Sequence, residues 1–240
     1  MNKKILQRVL KRLGFLVFFT VIFYLLRAQQ LPLSAYGLPY INDVALFRES
    51  LINHPEKQMN SLTDIPGISL DLRYASSNNF MHKKLYPANI KTSFLRNPVF
   101  DALINVSREL GRMGIGLVIF DAYRPYRTTV ELWIPVKDER YAANPAKGSG
   151  HNRGIAVDLT LADLKTHRQL LMPTGFDNFS DSAHQDFRGT DSIRIANREL
   201  LKRVMVKHGF IPLPTEWWHF SWPDPEHFEV LDLSFAELAK

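Results

Sequence analysis

The chain is predicted to fold as an α+β domain, an antiparallel sheet with flanking helices, and three observations lead there. Short stretches with the two-residue alternation of strands are interspersed with stretches of helical periodicity, not grouped in separate blocks. A turn at Lys165-Thr166 returns the strand Ile155 to Thr160 as a hairpin through Gln169 to Met172, and a hairpin argues against a doubly wound parallel sheet. The 45% hydrophobic and 22% charged composition is that of a folded protein, not of a disordered one.

The elements follow in order. Residues 1–27 carry Lys3, Lys4, Arg8, Lys11 and Arg12 ahead of an apolar run of 14 residues, Leu13 to Leu26. That is the pattern of an export signal, or of an uncleaved membrane anchor with its basic end inside. The run is shorter than the ~20 residues of a spanning helix, and no clean small-residue cleavage site follows it. Both readings export the domain to the cell envelope, into a periplasm or onto the outer face of the inner membrane. Residues 28–60, with Pro32, Pro39 and Pro55 among polar residues, read as a linker holding one short helix, and residues 61–240 as the domain.

Within the domain, Ile68 to Tyr74 alternates as a strand. Asn97-Pro98 opens a helix, with Asn as N-cap and Pro at the first helical position. Val99, Leu103, Val106, Leu110 and Met113 recur on one face of it as core, and Gly111 or Gly114 ends it. Gly116 to Asp121 reads as a buried strand, and the helix after Arg124-Pro125 runs until Pro135. A loop over residues 135–150 leads to the strand Ile155 to Thr160. Ser192 to His208 is a second amphipathic helix, with Ile195, Leu200, Leu201, Val204 and Met205 inward and Gly209 as its stop. Glu216 to Trp222 is a final aromatic strand.

Charge and cysteine narrow the function. Of the 30 Lys and Arg, six lie in the first 27 residues, and from residue 28 onward 24 basic residues face 24 acidic ones. The basic excess therefore belongs to the N-terminus, and the folded part offers nucleic acid no footing. Cysteine is absent, which excludes disulfides, a thiolate metal site, a Cys nucleophile and a lipidated N-terminal Cys.

Two segments carry the chemistry, SGHNRGIAVDLTL from Ser149 and EWWHF from Glu216. They supply His151, Asp158 and His219, two imidazoles and a carboxylate, the donor set of a catalytic zinc ion with one position left open. His151 and Asp158 are seven apart, so a regular strand would turn them to opposite faces. Gly154 between them can take the positive φ that bends the chain, leaving His151 in a loop. Glu216 and His219 differ by three, which places Glu216 in a loop or bulge before the strand. From there it reaches a metal-activated water as a base without becoming a ligand. Zinc lowers the pKa of bound water to about 7. An amide carbonyl under attack develops a negative oxygen, and Arg124, just past a buried strand, is the candidate cation for it. His54, His82, His167, His208 and His227 read as structural or exposed side chains.

At these residues the chain resembles the zinc D-alanyl-D-alanine dipeptidases of the VanX type, relatives of the D-Ala-D-Ala carboxypeptidases and of the hedgehog-like fold. The likeness runs from about Leu70 to Trp222 and includes DLRYASSNNF, DAYRP, SGHNRGIAVDLTL, MPTGFD, NREL and EWWHF, in that order. The resemblance implies one zinc ion per chain held by His151, Asp158 and His219, Glu216 as the catalytic base and Arg124 as the transition-state cation. It also implies that Ser149 and Asp177 contact the dipeptide, Asp177 at its free ammonium. The expected reaction is hydrolysis of D-Ala-D-Ala to two D-alanines. The alternatives are a D,D- or L,D-carboxypeptidase acting on peptidoglycan stem peptides, or a non-catalytic zinc-stabilised binding domain of the envelope. The expected partners are the dipeptide or a peptidoglycan-derived peptide, a membrane through the N-terminal segment, and no nucleic acid.

Overall fold

The structure, a computed structural model, describes residues 31–240. The expected export signal or anchor at 1–27 lies outside the described residues. In chain order the described part forms β1 (Tyr40–Ile41), α1 (Val44–Leu51), β2 (Met59–Ser61), β3 (Ile68–Leu70), β4 (Phe94–Arg96) and α2 (Asn97–Gly111). It continues with β5 (Ile115–Asp121), α3 (Tyr126–Val136), α4 (Gly150–Arg153), β6 (Ala156–Asp163) and α5 (Ser192–Lys207). β7 (Ile211–Pro212), β8 (His219–Ser221), β9 (Val230–Leu231) and α6 (Phe235–Leu238) complete it, with 3-10 turns between.

Five strands make the central sheet in the order β3-β5-β6-β8-β7. The expected α+β class holds, and the β5–β6, β6–β8 and β8–β7 pairings are antiparallel. The edge strand β3 departs from the expectation by lying parallel to β5. The chain makes that crossover through α2, whose Val99, Leu103, Val106 and Leu110 are fully buried. Along β6, Val157, Leu159 and Leu161 join this core while Asp158 and Thr160 alternate with them. One face of the sheet thus receives α2 and α5, which also pack on each other, and the other carries Asp158 and Thr160 beside the buried Val118.

Several boundaries move for identifiable reasons. Arg96 rather than Asn97 caps α2, and Met113 lies beyond the helix end, 48% exposed, instead of in the core. Pro135 does not stop α3. It sits in the last turn, forfeiting the N–H bond to the Glu131 carbonyl, and the helix ends one residue later, where Lys137 closes it in the left-handed region at φ 48°. The hairpin after β6 is short: Ala162 bridges Gln169, and the Asp163 N–H donates to the Arg168 carbonyl at 2.9 Å and the Leu170 N–H to the Leu161 carbonyl at 2.8 Å, along the edge that β8, paired only with Ala156 to Asp158, leaves free. The stretch read as a linker contains its expected helix α1 and also the strands β1 and β2. Tyr40 and Ile41 pair in parallel with Val230 and Leu231 near the C-terminus, and Ile41 is fully buried.

His151 is held by a single helical turn, α4, where the sequence predicts a loop. Ser149 caps it by accepting from the His151 N–H, and the Asn152 side chain returns the bond to the Ser149 N–H. Gly154 ends the turn at φ 70°, ψ 28°, and a Cβ there would meet Met59 Sδ and Cε at 2.7 Å. Since the methionine tip can move, the backbone conformation dominates the penalty. Gly154→Ala is expected to cost about 1–2 kcal/mol, read as a lowered Tm.

Candidate active site

The sheet brings the site together as a row across three strands. Asp158 on β6 pairs in register with His219 on β8, so both side chains emerge on one face. On its other side Asp158 lies opposite Asp121, because β5 carries an extra residue between Ile119 and Asp121 and its register shifts there. α4 then lowers His151 onto the row. The expected turn before β8 is present: the His219 N–H donates to the Glu216 carbonyl at 3.3 Å, so Glu216 stands outside the strand.

His151, Asp158 and His219 converge. His151 Nδ1–H donates to the Ala122 carbonyl at 2.8 Å, which commits its Nε2 lone pair to the site. That Nε2 lies 3.3 Å from His219 Nδ1 and 3.4 Å from Asp158 Oδ2. Four ligands at about 2.0–2.1 Å around a tetrahedral ion stand about 3.3–3.4 Å apart, so these separations fit zinc. The third, His219 Nδ1 to Asp158 Oδ1, is a 2.8 Å hydrogen bond. Burial would raise the Asp158 pKa, but His151 and His219 outweigh it and hold the carboxyl well below the usual range.

A cavity of about 620 Å³ opens over this cluster, lined by His151, Asp158 and His219 together with Arg124, Ser149, Asp177 and Glu216. All seven residues singled out from the sequence therefore face one space. Burial pushes the Glu216 carboxyl up to about 7, with His219 opposing and Asp158 adding to the shift. Asp177, at φ 58°, accepts from the Tyr74 hydroxyl and the Phe80 N–H at 3.4 Å each. Burial, reinforced by the charge of Asp158, pushes its carboxyl up to about 8. A carboxylate held so far from its ordinary value gains most from a cationic partner.

Sequence reasoning passed over Asp121, Tyr74 and Tyr86. Asp121 is fully buried and accepts from Arg124 Nε at 2.9 Å and Nη2 at 2.8 Å through Oδ2. Its Oδ1 accepts from the Tyr86 hydroxyl at 2.8 Å and the Ala122 N–H at 3.0 Å. Burial alone would lower the Arg124 pKa, but Asp121 and the neighbouring tyrosines hold it well above the ordinary value. The guanidinium also lies over the Tyr74 ring, 5.1 Å from its centre. Nη1 makes no hydrogen bond among the described residues. The available signal was Asp121 itself, an ionisable side chain ending a buried apolar strand three residues before Arg124.

An α+β domain that opens two imidazoles and a carboxylate onto a cavity with a second carboxylate and a fixed arginine belongs among the metal-dependent hydrolases. The comparisons make this specific. The family model described as D-ala-D-ala dipeptidase, Peptidase_M15, matches residues 57–239, and the chain belongs to that family of metallopeptidases. Its cofactor is zinc. The D-alanyl-D-alanine dipeptidase of Escherichia coli (strain K12) is 33% identical over 172 residues, covering 71% of this chain and 87% of that protein. That of Enterococcus faecalis (strain ATCC 700802 / V583) is 27% identical over 179 residues, covering 65% and 86%. The solved VanYB in complex with D-alanine-D-alanine aligns at a TM-score of 0.36 with 16% identity, covering 56% of this chain and 75% of that one.

Proposed function

We propose that the chain hydrolyses free D-Ala-D-Ala to two D-alanines, with His151, Asp158 and His219 holding the zinc ion. The observation that carries this reading is the placement of Asp177. It puts a carboxylate in need of a cation on the wall of the cavity that holds the metal donors. A dipeptide's ammonium answers that need, whereas a longer chain presents an amide there. Zinc supplies a Lewis acid and a nucleophilic water at neutral pH. Glu216 takes the proton and passes it to the leaving amine. Arg124, kept charged and oriented by Asp121, turns its remaining donors to the developing oxyanion. Ser149 adds a polar contact at the cavity wall. The D-alanyl-D-alanine dipeptidases that the chain resembles support the substrate. The basic and apolar pattern of residues 1–27 supports work in the cell envelope, with the N-terminal segment as signal or anchor.

Free D-Ala-D-Ala and a stem pentapeptide, offered side by side to the purified zinc-loaded chain, test this reading. Turnover of the dipeptide alone is expected, and turnover of the pentapeptide alone would establish a carboxypeptidase instead. Asp177→Asn separates binding from folding. Losing a charge-assisted hydrogen bond costs about 1.5–3 kcal/mol, so kcat/KM for the dipeptide is expected to fall by about 10- to 150-fold, mainly through KM. The stability effect has the opposite sign. With the folded pKa raised from 3.8 to about 8, the metal-free wild type loses stability as pH rises across that window. Asparagine cannot ionise and removes the slope, so the metal-free variant is expected to melt higher than wild type at pH 8. An unchanged KM together with a lower Tm would refute the assignment.

A further inference from the structure

Outside the cavity, a second set of metal-ligating side chains converges at the surface. His54 and Glu56 flank Pro55 at the start of the 3-10 turn Pro55–Lys57, and His227 ends the 3-10 turn Pro225–His227. His54 Nδ1 lies 3.1 Å and His227 Nε2 2.9 Å from one oxygen, Glu56 Oε1. One donor atom from each residue lies within 4.8 Å of the others. The side chains are between 37% and 51% exposed, open to a hydrated cation.

We propose that His54, Glu56 and His227 form a second divalent-metal site that staples the segment after α1 to the rim of the cavity. Two imidazoles and a carboxylate suit zinc, copper(II) or nickel(II) rather than magnesium or calcium. Each neutral ring binds by shifting its proton to its other nitrogen, so no net proton need leave the pair. The two turns are already bolted together beneath the cluster. Lys57 forms an ion pair with Glu229, and the fully buried Arg96 donates to the carbonyls of both Lys57 and Glu229. With the backbones fixed, little ordering cost remains for assembling the three donors. The same Arg96 donates through Nε to the Arg153 carbonyl at 2.9 Å, at the end of the turn that holds His151. Asp224 and Pro225, at the start of the His227 turn, line the cavity. An ion at the cluster therefore pins one wall of the substrate space and reinforces the turn beneath a catalytic ligand.

Zinc uptake by the full chain, followed by equilibrium dialysis with metal analysis, tests this. Wild type is expected to take two equivalents, and His54→Ala/His227→Ala one. Glu56→Gln, which keeps the shape of the cluster, is expected to weaken the second equivalent at least about tenfold, since even an outer-shell partner is worth 10- to 100-fold in affinity. His219→Ala, with the surface cluster intact, is expected to retain one equivalent. The second equivalent should raise the Tm of wild type and not that of the double variant. A single equivalent in wild type, or two in the double variant, would overturn the site. Neither outcome bears on whether the chain cleaves D-Ala-D-Ala.

Discussion

Glu216→Gln is expected to lower kcat for D-Ala-D-Ala by about 10²- to 10⁴-fold, the range general acid–base catalysis supplies, with zinc content and Tm near wild type. Gln keeps the size of the side chain and its place in the turn before β8, but it cannot accept a proton. The metal donors are untouched, because Glu216 stands outside the strand that presents His219. Burial raises the Glu216 pKa to about 7 in the metal-free protein. Bound zinc adds a nearby positive charge and favours the ionised form. Because the ionised carboxylate is the base, kcat/KM is expected to rise with pH along an acid limb whose midpoint lies at or below about 7. Steady-state kinetics across pH 5 to 9 and metal analysis of the same preparation check both statements. Zinc lost in parallel with activity would make Glu216 a ligand, and activity within about tenfold of wild type would leave the base unassigned.

The metal donors were legible because their chemistry is local. His151 and Asp158 are separated by a glycine that the bend requires, and Glu216 and His219 by a spacing that a strand cannot reconcile without a turn. Parity along the chain sufficed for both. Asp121 was not legible in that way. Its place in the row depends on the register shift in β5, which changes what stands opposite Asp158, and on Tyr86 arriving from a distant loop. The same limit explains the fold. The helices α2 and α5 showed their buried faces in the spacing of their apolar residues. The parallel pairing of β3, the pairing of β1 with β9 and the shortness of the hairpin after β6 are decided by which strand edges remain free once the chain has closed. Resemblance supplied what spacing could not, bringing Ser149 and Asp177 to notice, and both line the cavity.

Asp121→Asn should be strongly disruptive while sparing every metal donor. Breaking a buried ion pair costs about 3–5 kcal/mol, which for a domain of this size lowers Tm by about 6–20 °C. The substitution is selective at the atomic level. Oδ1 survives as a carbonyl oxygen, so the bonds from the Tyr86 hydroxyl and the Ala122 N–H persist. Oδ2 becomes an amide that points its hydrogens at Arg124 Nε and Nη2, donor against donor. The guanidinium is left buried and unpaired and has reason to swing toward the cavity. His151 stays oriented, since its Nδ1 bonds the Ala122 carbonyl at 2.8 Å whereas Asp121 Oδ2 is 3.8 Å away. Zinc content at saturating metal should therefore hold while kcat falls. A second substitution separates the two losses. Adding Arg124→Met removes the stranded charge and fills its volume with apolar atoms, an exchange that is often neutral or stabilising. The double variant should recover most of the Tm and none of the activity, because the cation facing the oxyanion is gone. Recovery of both would reduce Asp121 and Arg124 to a structural pair. Recovery of neither would mean that Asp121 supports the fold through Tyr86 and Ala122 more than through Arg124.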